Sequence, residues 1–328
     1  LTAWEIATYG LGYHLPVNSI GAAMTVEREQ RTTDEAWLER RRAFLNASQG
    51  AATDDLHPWI TRLELWNTLR GFEVPKPDNA MMLRGRDLEE PGAIGVQRAK
   101  PGWRIWNPNE YLFDRATRIG CTPDRYATDE KGRLIVIQIK VVAAPTFKRN
   151  WDDNLIPPYV LWQNQHEINL CGAYAGLVAA LEIDAYTHNL HLYEVPQHDK
   201  AWQYMLSRYA WMWQHVDAGT EPPRNYARDG ALLAMMFPHA KTGSVVDLRA
   251  DNRIQFLCSE RERLSEAMKA AKEERDAVDA EIIDKMKDNE AALVRGWRLT
   301  YKEQHRREHM VKATSFRVIR CVKEETVG

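Results

Sequence analysis

The stretch that most constrains the fold of this chain is LIVIQIKVV, which ends at Val142. It is rich in β-branched residues and polar only at Gln138 and Lys140, which predicts a strand over 133–142. Successive strand residues alternate faces, so Gln138 and Lys140, one residue apart, share a side. A buried strand that exposes two polar groups on one side asks for a reason. The preceding GCTPDRYATDEKG reads as a first short β segment and a polar turn, so Asp124 lies across a hairpin from Gln138-Ile139-Lys140.

Chemistry gives one reason. A metal-dependent phosphodiesterase needs oxygen ligands for a hard divalent ion, which polarises the phosphate and activates a water. A lysine near that water orients it and offsets developing negative charge. Asp124, the side-chain oxygen of Gln138, the backbone carbonyl of Ile139 and Lys140 supply this set, and Glu89 or Glu90 can add a second carboxylate from a preceding helix. On Asp124 and the Gln-x-Lys strand alone, a polar hairpin at a sheet edge is the simpler reading. A phosphate-binding Walker loop, a GxSxG elbow and an HExxH helix are all absent from the sequence.

The bulk numbers leave both readings open. With 328 residues, 44% of them hydrophobic and 27% charged, the composition is that of a soluble globular chain of one large or two modest domains. No apolar run approaches the roughly 20 residues of a membrane span, so no membrane role is expected. The net charge of −2 gives no sign of nucleic-acid binding, which depends on where Lys and Arg cluster. Cys121, Cys171, Cys258 and Cys321 form no CxxC pair, which argues against zinc, iron–sulfur and disulfide frameworks and makes a reduced cytoplasm the expected setting. Residues 1–23 lack a basic, sustained apolar leader, and the expectation is a loosely packed extension ahead of a natural start near Met24.

Along the chain, helices are expected over 33–44, 60–69, 159–182 and 199–217, with a strand at 188–195. Trp202, Met205, Tyr209, Trp213 and Val216 recur at helical spacing and read as core. Residues 219–244 read as a linker. Beyond it, Ile254, Leu257, Leu264, Met268, Ala271, Val278 and Ile282 mark a helix of about eight turns with a coiled-coil-like seam that suits packing on a second element or subunit. Two β-like pieces, 294–303 and 316–323, close the chain.

Further stretches then fall into a specific order. Trp37, Arg41 and Ser48 are spaced through AWLERRRAFLNAS, and Gly85 and Glu89 stand as G-x-x-x-E in RGRDLEE. Thr122-Pro123-Asp124 precedes Gln138-Ile139-Lys140, and YVLWQNQHEINLCG carries Tyr159, Gln163, Gln165 and Gly172. WQHVDAGTEPP, from Trp213 to Pro223, is a fifth echo. In order and spacing these resemble the lambda-exonuclease and YqaJ-type viral recombinase nucleases of the PD-(D/E)xK superfamily, over roughly residues 30–223.

The resemblance implies an α/β restriction-endonuclease-like core, a central mixed sheet flanked by helices, over 31–223. A linker (224–250) and a helical and β extension (251–328) would follow, with 1–30 as the N-terminal extension. It implies Mg²⁺, with Mn²⁺ able to substitute, held by Asp124, Gln138, Glu89 and the Ile139 carbonyl, and a water positioned by Lys140. Arg41, Ser48, Thr122 and Gln163 would hold a 5′-phosphate. It further implies 5′→3′ degradation of double-stranded DNA ends to leave 3′ overhangs, a single-strand annealing protein as partner, and a homo-oligomeric ring, possibly a trimer. Arg40, Arg41, Arg42, Arg84, Arg86, Lys148 and Arg149 are candidates for lining such a ring's channel, in a phage-encoded or bacterial cytoplasmic protein. The departure is Gln138, where the family pattern has Glu. A neutral amide attracts a hard cation less than a carboxylate does. Three explanations fit: an enzyme that works with Gln, a catalytically weak or silent DNA-end-binding protein, or a substitution made to trap DNA.

Overall fold

The computed structural model describes residues 24–72, 79–151, 155–305 and 321. Residues 1–23, the expected extension, lie outside the described residues. The chain divides into two compact units, Leu1–Leu232 and Leu233–Gly328.

In the first unit, β1 (Val26–Gln30) leads to α1 (Asp34–Arg42). Thr33 caps α1 by accepting from the Ala36 amide at 3.2 Å, and acidic residues in its first turn and arginines in its last both suit the helix dipole. β2 (Leu45–Asn46), a 3-10 helix (Ala47–Asp54) and α2 (Arg62–Leu69) follow. Next come α3 (Ala80–Asp87), α4 (Glu89–Ala99), β3 (Arg104–Trp106), β4 (Glu110–Asp114) and β5 (Ile119–Cys121). The hairpin strands β6 (Arg125–Thr128) and β7 (Leu134–Ala143) precede α5 (Ala144–Asn150) and α6 (Pro158–Cys171). β8 (Ala175–Ile183), β9 (His188–Pro196) and α7 (Asp199–Ala218) complete the order, and the division between the units falls within α8 (Gly230–Met236).

One sheet has the strand order β1-β4-β5-β2 and the other β3-β6-β7-β8-β9. In the second, β6 and β7 pair antiparallel, as the hairpin reading expects, while β7 and β8 pair parallel. A parallel pair needs a crossover, and α5 and α6 provide it. Thr122-Pro123-Asp124 is the link from β5 to β6, so this tripeptide passes from one sheet to the other. The result is the mixed, helix-flanked α/β architecture that the sequence predicts.

The alternation of β7 sets the site. Ile135, Ile137 and Ile139 pack with Ala93 and Val96 of α4, Ala127, Leu177 and Ala179, which sends Gln138 and Lys140 to the opposite face, toward α6. α4 approaches closely at Gly92, where a Cβ would lie 2.7 Å from Ile139 Cγ2. Gly92→Val is expected to push α4 off β7 at a cost of about 1–3 kcal/mol, read as a lowered urea midpoint with unchanged slope.

Several expectations need correction. The helix expected over 159–182 ends at Cys171, because Gly172 takes the left-handed conformation (φ 66°) that terminates helices. Residues 175–183 form β8 instead; this strand is largely buried along its length, so it lacks the polar alternation that would mark it. The G-x-x-x-E segment is two helices. In one continuous helix the Pro91 ring would clash with the Asp87 carbonyl, and the break falls at Leu88. The stretch read as a linker contains α8, with Leu232 and Asp229 buried. Arg228 in that stretch donates to the carbonyls of Asp55 (2.9 Å) and His57 (2.5 Å).

In the second unit the long helix α9 runs from Asn252 to Met286, longer than expected, with Leu257, Leu264, Met268 and Val278 exposed among the described residues. The first closing β piece is a hairpin in its own right, β10 (Ala291–Val294) with β11 (Trp297–Thr300), turning at Gly296 (φ 79°). The second piece, 316–323, lies outside the described residues except for Cys321.

Candidate active site

Asp124 ends the inter-sheet link and faces β7. Its Oδ2 accepts from the Ile139 amide at 2.8 Å and from Gln138 Nε2. Gln138 Nε2 also faces the Ile139 carbonyl at 3.5 Å. On the other side, Gln138 Oε1 accepts from Gln163 Nε2 at 2.5 Å, and the same nitrogen donates to Glu167 Oε1 at 2.9 Å. Lys140 Nζ donates to Gln163 Oε1 at 2.9 Å. Asp124, Gln138, Gln163 and Lys140 therefore form one hydrogen-bonded chain, with Glu167 as a branch. Gln138 is not exposed on its strand face as the alternation suggested: α6 covers it, leaving 2% of its surface accessible.

Burial, and next the charge of Glu89, push the Asp124 carboxyl up to about 6, against the opposing pull of Lys140. Glu89 is the first residue of α4 and its Oε1 accepts from Arg125 at 2.5 Å; Glu90 Oε2 accepts from the same guanidinium at 2.7 Å. Arg125, whose side chain is buried, also donates to the Asp124 carbonyl at 2.5 Å. It thus ties the start of α4 to Asp124 and offsets the charge of Glu89 there. Sequence reasoning passed over Arg125; its one signal is the need for a counter-charge where Glu89 and Glu90 meet Asp124. Glu167 was also missed. It lies fully buried on α6, its Oε2 has no hydrogen-bond partner, and burial, reinforced by the charge of Asp124, pushes its carboxyl well above the ordinary range.

The donor set fits a hard divalent cation. Asp124 Oδ2 and the Ile139 carbonyl converge on a single point, at which Gln138 Nε2 stands. Turned over, the same amide would present Oε1 there, giving the oxygen ligands that Mg²⁺ or Mn²⁺ prefers, with the charge of Glu89 acting on Asp124. The charge is sparse: among the described residues no three His, Cys, Asp or Glu side chains cluster as a metal site.

A second group surrounds Trp37. Its ring lies between the Arg31 and Arg41 guanidiniums, 4.0 and 4.5 Å from the centroid, and its Nε1 donates to Thr122 Oγ1 at 3.0 Å. Arg41 donates to Asn46 Oδ1 and to Ser48 Oγ, both at 3.3 Å. Buried Asn46 in turn holds the Arg41 and Phe44 carbonyls at 3.0 Å and accepts from Tyr111 at 2.9 Å. Among the described residues Arg41 makes no ion pair, and burial lowers its pKa. Arg41 and Ser48, and Thr122 through Trp37, thus lie in one group, whereas Gln163 belongs to the strand cluster. Of the basic candidates, Arg40 pairs with Glu29 at 2.7 Å and Arg42 with Glu39 at 2.8 Å.

The model of the YqaJ-like viral recombinase domain matches residues 36–174, a span that holds the strand cluster and, Arg31 apart, the group around Trp37. No curated protein matches the chain. Among solved structures, an alkaline exonuclease from Laribacter hongkongensis is 18% identical, covers 61% of this chain and 100% of its own, and superposes with a TM-score of 0.43. A complex of that exonuclease with dAMP gives 19% identity, the same coverage and a TM-score of 0.44. Over residues 36–174 this chain is similar to the YqaJ-like viral recombinase domain.

Proposed function

We propose that the chain is an Mg²⁺-dependent exonuclease that degrades one strand of duplex DNA from a 5′ end and leaves a 3′ overhang for recombination. The observation that carries this reading is the single hydrogen-bonded chain joining Asp124, Gln138, Gln163 and Lys140. Asp124, Glu89, Gln138 and the Ile139 carbonyl hold the cation. When bound, that ion neutralises phosphate charge and lowers the pKa of a water. Lys140, a compact donor at the end of the chain, orients the attacking water and offsets charge on the phosphate. Arg41, which makes no ion pair among the described residues, forks onto the terminal phosphate, with Ser48 and Thr122 completing the shell. Trp37 keeps the guanidinium in place. In a ring of copies, possibly three, local arginines would suffice to retain DNA despite a near-neutral chain, and an annealing protein would receive the overhang. Such a protein would act in the cytoplasm of a bacterial host.

A second reading is a DNA-end-binding protein without cleavage, and the Gln138 Nε2 hydrogen bond to Asp124 favours it, since a donor faces the cation ligands. End-labelled linear duplex incubated with Mg²⁺ separates the two. Degradation by the unaltered chain supports the nuclease; binding without degradation, with cleavage appearing in Gln138→Glu, supports the end-binder. Absence of both binding and cleavage in every variant would sink both. Arg41→Ala is expected to weaken binding of 5′-phosphorylated ends by about 10–100-fold while sparing 5′-hydroxyl ends, the worth of one charged hydrogen-bonding group, measured as paired dissociation constants.

A further inference from the structure

Tyr159 opens the motif that carries Gln163, yet it has no part in the scheme above. Its ring packs at 5.5 Å against that of Trp59, which stands between the 3-10 helix and α2 and is 67% exposed. We propose that Trp59 is a binding residue for the DNA end, a fixed aromatic platform on which one unpaired nucleobase stacks near the phosphate being cut. This assignment rests on the reading of the Asp124–Lys140 cluster as a nuclease site.

A single exposed aromatic asks for no explanation, but the bracing of this one does. Nδ1 of buried His57 accepts from the amides of Trp59 at 3.2 Å and Ile60 at 2.9 Å, so the imidazole closes the turn that carries the indole. Arg228 holds the carbonyls of His57 and Asp55, and Asp55 Oδ1 accepts from the Arg62 amide at 3.3 Å, where α2 begins. The His57 and Tyr159 rings meet the indole at 5.7 and 5.5 Å, with interplanar angles of 73° and 76°. Edge contacts of this kind set the tilt of the indole, and its exposure leaves surface for a planar guest. An aromatic fixed before its guest arrives loses little conformational freedom on binding.

Position names the guest. Tyr159 and Gln163 stand one turn apart on α6, and Gln163 Oε1 accepts from Lys140 Nζ at 2.9 Å. Neighbours at that helical spacing have Cβ atoms about 5–6 Å apart. The indole thus lies roughly 10–15 Å from Lys140, a few nucleotides at about 3.4 Å per strand step. A flat apolar surface at that remove from a phosphate-cutting centre suits a base that has left its partner, and every base has a face to stack. Ser48, at the other end of the 3-10 helix, belongs to the phosphate group. Charge and stacking then hold different parts of one strand.

The test is binding of the full chain to end-labelled duplex in EDTA, so that affinity is read apart from cleavage. One duplex has a 5′-phosphorylated end with its terminal pairs mismatched. The other has the same end with abasic sugars in place of the mismatched bases. Trp59→Ala is expected to raise the dissociation constant for the first about 10–100-fold, the worth of one stacked base, and to leave the second unchanged. Trp59→Phe, which keeps an aromatic face, is expected to stay within a few-fold of the unaltered chain. Equal affinity of Trp59→Ala and the unaltered chain for the mismatched end overturns the inference and leaves the nuclease reading standing. An equal loss on both duplexes places the indole in the fold, and an altered mass of Trp59→Ala by sedimentation places it between copies of the chain; either overturns the inference. Failure of the unaltered chain to bind either duplex, or to cleave it once Mg²⁺ is added, overturns both readings.

Discussion

Lys140→Ala is expected to reduce cleavage of linear duplex by about 10²–10³-fold, the scale of losing one preorganised electrostatic group at a reacting centre, while duplex binding stays within a factor of a few. The asymmetry follows from position. Lys140 is half-buried at the end of the Gln163–Gln138–Asp124 chain, whereas end recognition is assigned to Arg41, on α1. Gel shifts with end-labelled duplex and a time course of released label give the two readouts together. Equal losses of binding and cleavage would place Lys140 in DNA capture. Intact cleavage would remove it from the chemistry.

The second large effect concerns pH and cation together. The Asp124 carboxyl is pushed up to about 6 from an ordinary value of 3.8, chiefly by burial. Folding disfavours its ionised form, so in the absence of metal its contribution to stability declines as pH rises from about 4 through 6. A cation that binds ionised Asp124 restores that loss above pH 6, and protons displace the cation below it. At a hundredfold excess over the dissociation constant, binding adds about 2.7 kcal/mol of stability. For a unit of this size that corresponds to roughly 5–10 °C in melting temperature. The Mg²⁺-induced shift is expected in full at pH 8 and to be mostly absent at pH 5, and Asp124→Asn is expected to flatten that pH dependence. A shift of equal size at both pH values would place the cation elsewhere.

The legible parts of the sequence were those where one residue type dictates local geometry. The β-branched run LIVIQIKVV read as a strand, and TDEAWLERRRAF, with Asp34 and Glu35 early, read as a helix. Strand alternation and a short turn singled out Asp124, Gln138 and Lys140 as candidates, and only the order and spacing of the surrounding motifs set them above an ordinary hairpin. β8 was not legible because AGLVAALEI is buried and built largely of small residues, so composition favoured helix until Gly172 and the parallel pairing with β7 decided otherwise. Glu167 was not legible for a related reason. On α6, five consecutive polar residues from Gln163 to Glu167 are all buried, so polarity there does not report solvent. Gln165, for instance, spends its amide on the Pro196 carbonyl at 2.6 Å and the His198 amide at 3.2 Å, which holds β9 and the start of α7.

The shared amide of Gln163 also makes two positions into one unit. One nitrogen serves positions 138 and 167 at once, so a substitution at either changes what the other meets, and their effects on stability are expected not to add.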